Sequence, residues 1–133
     1  RKIKNTMNSL NVPEGYQAVM PYLILHNAKD FMDWAMNVLD ATEKMRSLRD
    51  DNSTIAHAEL FIGESTIMVA EASEQWTVNT AGMFVYVANA DEAYSRALAH
   101  GATAIMPPAD MPYGRTCGVK DPFGNVWWPT QAI

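Results

Sequence analysis

Apolar and polar positions follow two periodicities along this chain, and the same order of periodicities occurs twice. The run YLILHNAKDF (22–31) places an apolar, strand-like segment before Asn-Ala and a helical pattern, and FVYVANADEA (84–93) does the same. In the first copy, apolar residues then recur at i, i+3, i+4, i+7 and i+8, which is one face of a helix. These residues are Phe31, Trp34, Ala35, Val38 and Leu39. The pattern predicts a strand followed by a helix in each half.

The second copy continues with a similar helical face, made of Ala90, Tyr94, Ala97 and Leu98. Asn27 and Asn89 stand where the two helices begin. Both are predicted N-caps, because an asparagine oxygen accepts a hydrogen bond from the unpaired backbone N–H groups of a first helical turn. Gly101 is predicted to end the second helix in a left-handed conformation.

Three strand candidates follow each helix, at 43–49, 55–62 and 65–70 in the first half and at 104–106, 116–120 and 125–129 in the second. Each half therefore predicts a βαβββ module with one sheet face under its helix and one face bare. The predicted fold is α+β, with two tandem modules forming a curved mixed sheet around a central cleft. We expect residues 1–133 to form a single domain, with module one at about 17–72, a linker loop at about 71–81 and module two at about 82–133. The proline-rich segment 107–116 is predicted to be a rim or lid loop.

Composition narrows the classes of function. The chain of 133 residues has no apolar run long enough to span a membrane. Its net charge of −5 argues against nucleic-acid binding and permits a cationic ligand. The single cysteine, Cys117, excludes an internal disulfide, fits a cytoplasmic location and is predicted to be a buried, inert thiol.

Several motifs, in their order and spacing, make the chain similar to the vicinal oxygen chelate superfamily of glyoxalases, bleomycin resistance proteins and extradiol dioxygenases. They are the doubled βαβββ pattern, HAELFIG (57–63) and DPFGN (121–125). The wording PEGYQAVMPYLIL (13–25) and DPFGNVW (121–127) most resembles the PhnB-like branch. The similarity runs from about Pro13 to about Thr130. It implies a homodimer, because single-domain members often complete their cleft with a partner.

Metal-bearing members of that superfamily carry one ligand, usually His or Glu, on each of four strands. Alignment through the two Asn-Ala turns and DPFGN places those positions at Met20, Met68, Gly82 and Trp128. None of these side chains is a usable ligand for a hard or borderline divalent ion. No His, Glu, Asp or Cys lies within two residues of any of them, and Glu71 is three residues away. We therefore expect no metal and no cofactor.

Alternation along the strands predicts which side chains face the cleft instead. The predicted ligand-binding residues are Met20, Tyr22, Phe61, Met68, Phe84, Tyr86, Arg115 and Trp128. Trp127 is predicted to pack against a helix. These predicted ligand-binding side chains are mainly apolar, aromatic and rich in methionine, which suits a flat, apolar or cationic organic molecule. Arg115 has an alternative role, which is an ion pair with Asp110 or Asp121.

His57 and Glu59 are the candidate catalytic residues. They are two positions apart on a predicted strand, so their side chains share a face. One interpretation is a polar pair without a chemical role. The other is a carboxylate–imidazole pair that binds a ligand or moves a proton.

Three functions remain open on this basis. The first is a metal-free small-molecule-binding protein that resembles the resistance proteins which sequester antibiotics. The second is an enzyme of the same superfamily, a lyase, dioxygenase or isomerase, that uses an unforeseen metal site or His57 and Glu59 as acid and base. The third is a partner-binding module in which Trp128 fills the cleft. Whichever of the three applies, we expect a homodimer in the cytoplasm that binds neither nucleic acid nor a membrane.

Overall fold

The computed structural model describes residues 10–133, which form eight strands and two helices. In chain order the elements are β1 (Tyr22–Leu25), α1 (Ala28–Leu39), β2 (Thr42–Leu48), β3 (Ile55–Ile62), β4 (Ser65–Glu71), β5 (Gly82–Tyr86), α2 (Ala90–Ala99), β6 (Thr103–Met111), β7 (Gly114–Lys120) and β8 (Val126–Ala132).

Each half of the chain forms its own four-stranded mixed sheet. Sheet A has the strand order β1-β4-β3-β2, and sheet B has the equivalent order β5-β8-β7-β6. In both sheets the first strand of the module runs parallel to its last strand, and the other pairs are antiparallel. The predicted α+β fold of two βαβββ modules is confirmed.

The two helices bury the faces that hold them to the sheets. All five predicted residues of α1 are buried. Helix α2 instead buries Ala90, Ala93 and Ala97, while Leu98 is exposed. The prediction that Leu98 belongs to the buried face was wrong, because the buried face of α2 is centred on Ala90, Ala93 and Ala97. Within residues 10–133, neither helix is long and apolar enough to cross a membrane.

The two equivalent asparagines begin their helices in different ways. The side chain of Asn89 accepts a hydrogen bond from the backbone N–H of Glu92, as predicted. Asn27 has a left-handed backbone with φ 63° and makes no such bond. Glu71 on β4 takes its place, because its carboxylate accepts from the N–H groups of Asn27 and Ala28 at 3.1 and 2.9 Å.

Aromatic side chains join the modules. Trp127 on β8 is buried and lies against α1 of the other module, with ring centroids 6.4 Å from Phe31 and 6.1 Å from Trp34. The helices α1 and α2 also contact each other. The prediction that Trp127 packs against a helix is confirmed, and one hydrophobic core includes residues of both modules.

The DPFGN segment is a turn built around a buried carboxylate. One oxygen of Asp121 accepts from the backbone N–H groups of Phe123 and Asn125, at 2.8 and 2.9 Å. The other accepts from the Asn125 amide and from Trp127 Nε1, at 2.9 and 2.8 Å. The Asn125 amide oxygen in turn accepts from the N–H of Ala81 in the linker. The motif therefore has a structural role, which is to fix the start of β8 and the position of Trp127.

Segment 107–116 is a β-hairpin, so the prediction of a loop was wrong. Strand β6 runs on through Pro107 and Pro108 to Met111, and β7 begins at Gly114. The prolines are tolerated because β6 is the edge strand of sheet B, where a missing N–H can face away from the ladder. A register shift between Met106 and Ala109 accompanies them.

Candidate functional site

Six of the predicted ligand-binding side chains lie on the sheet faces opposite the helix-packed ones, namely Tyr22, Phe61, Met68, Phe84, Tyr86 and Trp128. In sheet A, Met68 on β4 is paired with Tyr22 on the neighbouring strand β1 and with Glu59 on the other neighbouring strand, β3. In sheet B, Phe84 stands directly opposite Trp128. Residues at paired positions point to the same side of a sheet, so each sheet groups these side chains on one face.

Three polar side chains on this face of sheet A form a continuous hydrogen-bonded row. The Tyr22 hydroxyl lies 2.8 Å from Nδ1 of His57. Nε2 of His57 lies 2.7 Å from an oxygen of Glu59. The rings of Tyr22 and His57 meet edge to face, with centroids 5.4 Å apart. The predicted placement of His57 and Glu59 on one face is confirmed, and Tyr22 joins them.

Glu59 is the most buried member of this group, at 5% exposed. Burial by itself raises the pKa of its carboxyl. Hydrogen bonds from Tyr16 and His57, together with the charge of Lys44, outweigh burial and hold the pKa of Glu59 below its ordinary value. The Tyr16 hydroxyl donates at 2.6 Å and the Lys44 ammonium lies 3.5 Å away. Glu59 is therefore an ionised acceptor at neutral pH.

Tyr16 and Lys44 belong to this site, although the sequence pattern does not single them out. The Lys44 ammonium lies 3.1 Å from the ring centroid of Tyr16 and 5.0 Å from that of Phe61. It also donates to the backbone oxygen of Gly15 at 3.1 Å. Tyr16 is 43 residues from Glu59 in an irregular segment, so no periodicity could predict their contact.

A cavity of about 400 Å³ lies between this face of sheet A and the chain before β1. Its lining is mainly apolar and includes Met20 and Met68, which are both half-buried, beside Tyr16 and Glu59. The stretch from Leu10 to Ala18 forms the other wall. The two predicted methionines are thus brought together beside the polar row.

Sheet B presents exposed aromatic rings. Phe84 is 51% and Tyr86 65% exposed, and their centroids lie 5.3 Å apart in an edge-to-face arrangement. Tyr113 lies 6.2 Å from Phe84. Trp128 is half-buried and lies over Gly118, where any β-carbon would collide with the indole ring. Gly118 thus lets Trp128 lie flat on the sheet beside Phe84.

A second cavity, of about 350 Å³, includes Phe84 and Tyr86 in its lining. Gln17 and Pro21 also contribute to it, together with residues of β3, β4 and the turn between them. Met20 and Met68 thus line one cavity and Phe84 and Tyr86 line another, while Tyr22, Phe61 and Trp128 line neither of the two.

Other residues singled out in the sequence lie elsewhere. Arg115 makes two hydrogen bonds to Asp91, at 3.0 and 3.1 Å, and one to Asp110 at 2.9 Å. These contacts raise the pKa of Arg115, and a ligand would compete with both carboxylates. Cys117 is buried as expected, and burial raises the pKa of its thiol to about 11.

The four positions aligned with metal ligands do not suit a divalent ion. Met68 and Met20 offer only thioether sulfur, and Trp128 offers an indole that lies against the sheet. Gly82 has no donor, and open space surrounds the place where its side chain would be. Over residues 10–133 no three His, Cys, Asp or Glu side chains come together in a geometry that could hold an ion.

A family sequence model described as the Glyoxalase/Bleomycin resistance protein/Dioxygenase superfamily matches residues 23–128. An uncharacterised protein of Mycobacterium bovis is 30% identical over 128 residues, which cover 87% of this chain and 84% of that protein. The crystal structure of TioX from Micromonospora sp. ML1 is 26% identical with a TM-score of 0.66, covering 87% of this chain and all of that one. The PhnB protein of Bacillus cereus is 19% identical with a TM-score of 0.68, covering 87% of this chain and all of that one, and shares the fold.

Proposed function

This chain belongs to the Glyoxalase/Bleomycin resistance protein/Dioxygenase superfamily, and we propose that within it the protein binds a small organic molecule without a metal ion. The proposal depends on one observation. Methionine, glycine and tryptophan, which do not suit a hard or borderline divalent ion, occupy the four aligned positions, and exposed aromatic rings lie on the same face of sheet B as Trp128. Apolar lining with a few placed polar groups is the usual character of a small-molecule site.

The chemistry of the two faces indicates the class of ligand. Phe84 and Tyr86 offer two ring surfaces at an angle, which suits a planar aromatic molecule. Their faces also attract a cation, and the net charge of −5 does not oppose one. Met20 and Met68 adapt their shape to different ligands. An aromatic molecule, neutral or cationic, is the proposed ligand, and sequestration of such molecules is the proposed role.

A second copy of this chain completes the proposed binding cleft. Met20 and Met68 of module one line one cavity of a single chain, and Phe84 and Tyr86 of module two line another. Phe84, Tyr86 and Tyr113 also leave an aromatic surface half or more exposed, which is typical of an interaction surface. A homodimer would place sheet A of one copy opposite sheet B of the other and cover these rings. The cytoplasmic location stays a prediction from the sequence.

Titration with two aromatic dyes tests the binding function. Proflavine, which is cationic, and anilinonaphthalene sulfonate, which is anionic, are added to the protein while dye fluorescence is recorded. We expect saturable binding of proflavine with a Kd on the order of micromolar. Phe84→Ala should weaken it about tenfold, because a ring contact is lost.

Trp76→Ala is the matched control for this titration. Trp76 is an exposed aromatic residue of the linker between β4 and β5, and it lines neither of the two cavities. The control should bind both dyes as the unmodified protein does. Equal weakening by Phe84→Ala and Trp76→Ala, or no saturable binding of either dye, would contradict the proposal.

A further inference from the structure

We propose that Tyr22, His57 and Glu59 form a proton relay that makes the Tyr22 phenol a nucleophile toward activated esters. This acyl-transfer activity is separate from the non-covalent binding proposed above, and it requires no ligand on sheet B. It follows from the hydrogen-bonded row on sheet A, in which the ionised Glu59 fixes each donor and each acceptor for a neutral His57 ring.

The assignment starts at the buried end of the row. Glu59 is an ionised carboxylate, so it can only accept hydrogen bonds. Nε2 of His57, at 2.7 Å, must therefore carry a proton and donate it to Glu59. In the neutral ring Nδ1 is then an acceptor, and the Tyr22 hydroxyl donates to it at 2.8 Å. The protons thus point in one direction, from Tyr22 through His57 to Glu59.

This order of groups is the general arrangement of an activated nucleophile. A hydroxyl lies within hydrogen-bond reach of a base, and a carboxylate orients the base and stabilises its protonated form. Further contacts hold the carboxylate in place, because Tyr16 donates to its other oxygen and Lys44 lies beside it. Glu59 is therefore unable to swing away from His57 without losing both partners.

Tyr22 is the accessible end of the relay. Tyr22 is 45% exposed, whereas Glu59 is almost fully buried. Met68, its direct neighbour across the sheet, lines the cavity of about 400 Å³ together with Glu59. Tyr22 does not line that cavity, so an ester reaches the phenol oxygen directly from solvent, through the exposed part of Tyr22.

The covalent step with p-nitrophenyl acetate balances as follows. The Tyr22 oxygen forms a bond to the acetyl carbonyl carbon, and the bond from that carbon to the p-nitrophenyl oxygen breaks. The phenolic proton passes to Nδ1 of His57, and p-nitrophenolate leaves with the electron pair. The products are O-acetyl-Tyr22 and a protonated His57, which returns its proton to solvent.

Acetylation of the individual tyrosines by p-nitrophenyl acetate at neutral pH tests the relay. Peptide mass spectrometry gives the rate at each tyrosine, and p-nitrophenolate absorbance gives the total. We expect Tyr22 to react at least about tenfold faster than N-acetyltyrosinamide added to the same solution, because general-base assistance typically contributes more than this. N-acetyltyrosinamide is the internal control, because its phenol is fully exposed and has no neighbouring base.

Three variants decide whether the relay is the cause. His57→Gln should lower acetylation of Tyr22 to about the rate of N-acetyltyrosinamide or below. Glu59→Gln should do much the same, since an amide can donate to Nε2 and turn the ring to the wrong tautomer. Tyr22→Phe should abolish the fast phase with His57 and Glu59 in place, and Tyr94→Phe, on helix α2, should leave it unchanged.

Circular dichroism establishes that each variant is folded before its rate is compared. Acetylation of Tyr22 no faster than that of N-acetyltyrosinamide in the unmodified protein would overturn the proposal. So would a fast phase that persists in Tyr22→Phe or a rate at Tyr22 that His57→Gln leaves unchanged. None of these outcomes depends on whether the protein binds aromatic dyes.

Discussion

Single residues explain why DPFGN is present in this chain. Asp121 accepts four hydrogen bonds, two from backbone N–H groups of the turn and two from the side chains of Asn125 and Trp127. Trp127 in turn packs on Phe31 of the other module. One buried carboxylate therefore connects the local geometry of a turn with the contact between the modules.

Replacing Asp121 with alanine should destabilise the protein strongly. The change leaves several buried donors without acceptors, and we expect the free energy of unfolding to fall by about 3 kcal/mol. Urea unfolding followed by tryptophan fluorescence measures the loss. Asp110→Ala is the matched control, because Asp110 is an exposed partner of Arg115 and exposed ion pairs contribute little. Equal losses for the two variants would contradict this account of the motif.

The ionisation of Glu59 makes stability depend on pH. Because its pKa is lower in the folded protein than in the unfolded chain, Glu59 contributes stability that is complete above the ordinary glutamate pKa. This contribution is lost as the pH falls through the lowered folded value. Urea unfolding of the unmodified protein and Glu59→Gln, at a series of pH values in that window, should show a shallower acid loss in the variant. Parallel loss in the two proteins would mean that the carboxylate is not stabilised in its ionised form.

At the scale of elements, two equivalent helix starts use different acceptors. Asn89 caps α2 with its own side chain, whereas Asn27 has a left-handed backbone and leaves the start of α1 to Glu71. Both helices begin at Asn-Ala, yet only one is capped locally. The same dipeptide therefore contributes to stability in two distinct ways.

Substitutions at the two asparagines should separate these roles. Asn89→Ala removes an acceptor and should lower the free energy of unfolding by about 1 kcal/mol. Asn27→Gly should cost close to nothing, because glycine adopts positive φ readily and no side-chain bond is lost. Thermal or urea unfolding of both variants measures the difference. A larger loss for Asn27→Gly than for Asn89→Ala would reverse the assignment.

The sequence predicts those elements whose signals are local. The two periodicities specify α1, α2 and the order of strands, and alternation along β3 correctly places His57 and Glu59 on one face. The capping of α1 by Glu71 is not predictable in this way, because the residues that meet are 43 and 44 positions apart. The length of β6 is missed for another reason. Its prolines indicate a loop until the strand is known to be an edge.

The candidate site likewise contains some residues that local sequence patterns predict and others that only tertiary contacts bring in. Tyr22 and Met68 follow from strand alternation, and Trp128 follows from its position next to Trp127. The contact of Lys44 with Tyr16 and Glu59 does not, because β2 has a register shift between Glu43 and Met45 and Tyr16 precedes the first strand. Tertiary contacts of this kind leave no periodic pattern in the sequence.

At the scale of the whole molecule, the exposed rings of sheet B support the proposed homodimer. Phe84, Tyr86 and Tyr113 remain half or more exposed in the single chain. Rings grouped in this way are costly to leave in water and stabilise an association that covers them. The acidic net charge does not prevent this, because its repulsion is screened at physiological salt.

Light scattering coupled to gel filtration should show a dimer at micromolar concentration. Phe84→Asp should shift the mass toward that of one chain, because an unpaired charge in an apolar interface is costly to bury. Trp76→Asp, on the linker, should remain dimeric and is the control. A monomeric unmodified protein, or a dimer that Phe84→Asp leaves intact, would contradict the shared cleft.

The metal content of untagged protein tests the central claim most directly. Protein purified without chelator is incubated with zinc, nickel, iron and manganese salts, dialysed, and analysed by elemental mass spectrometry. Because methionine, glycine and tryptophan occupy the chelating positions, we expect well below one ion per chain for every metal, on the order of a few per cent. Retention of any of these metals at close to one ion per chain would contradict the account.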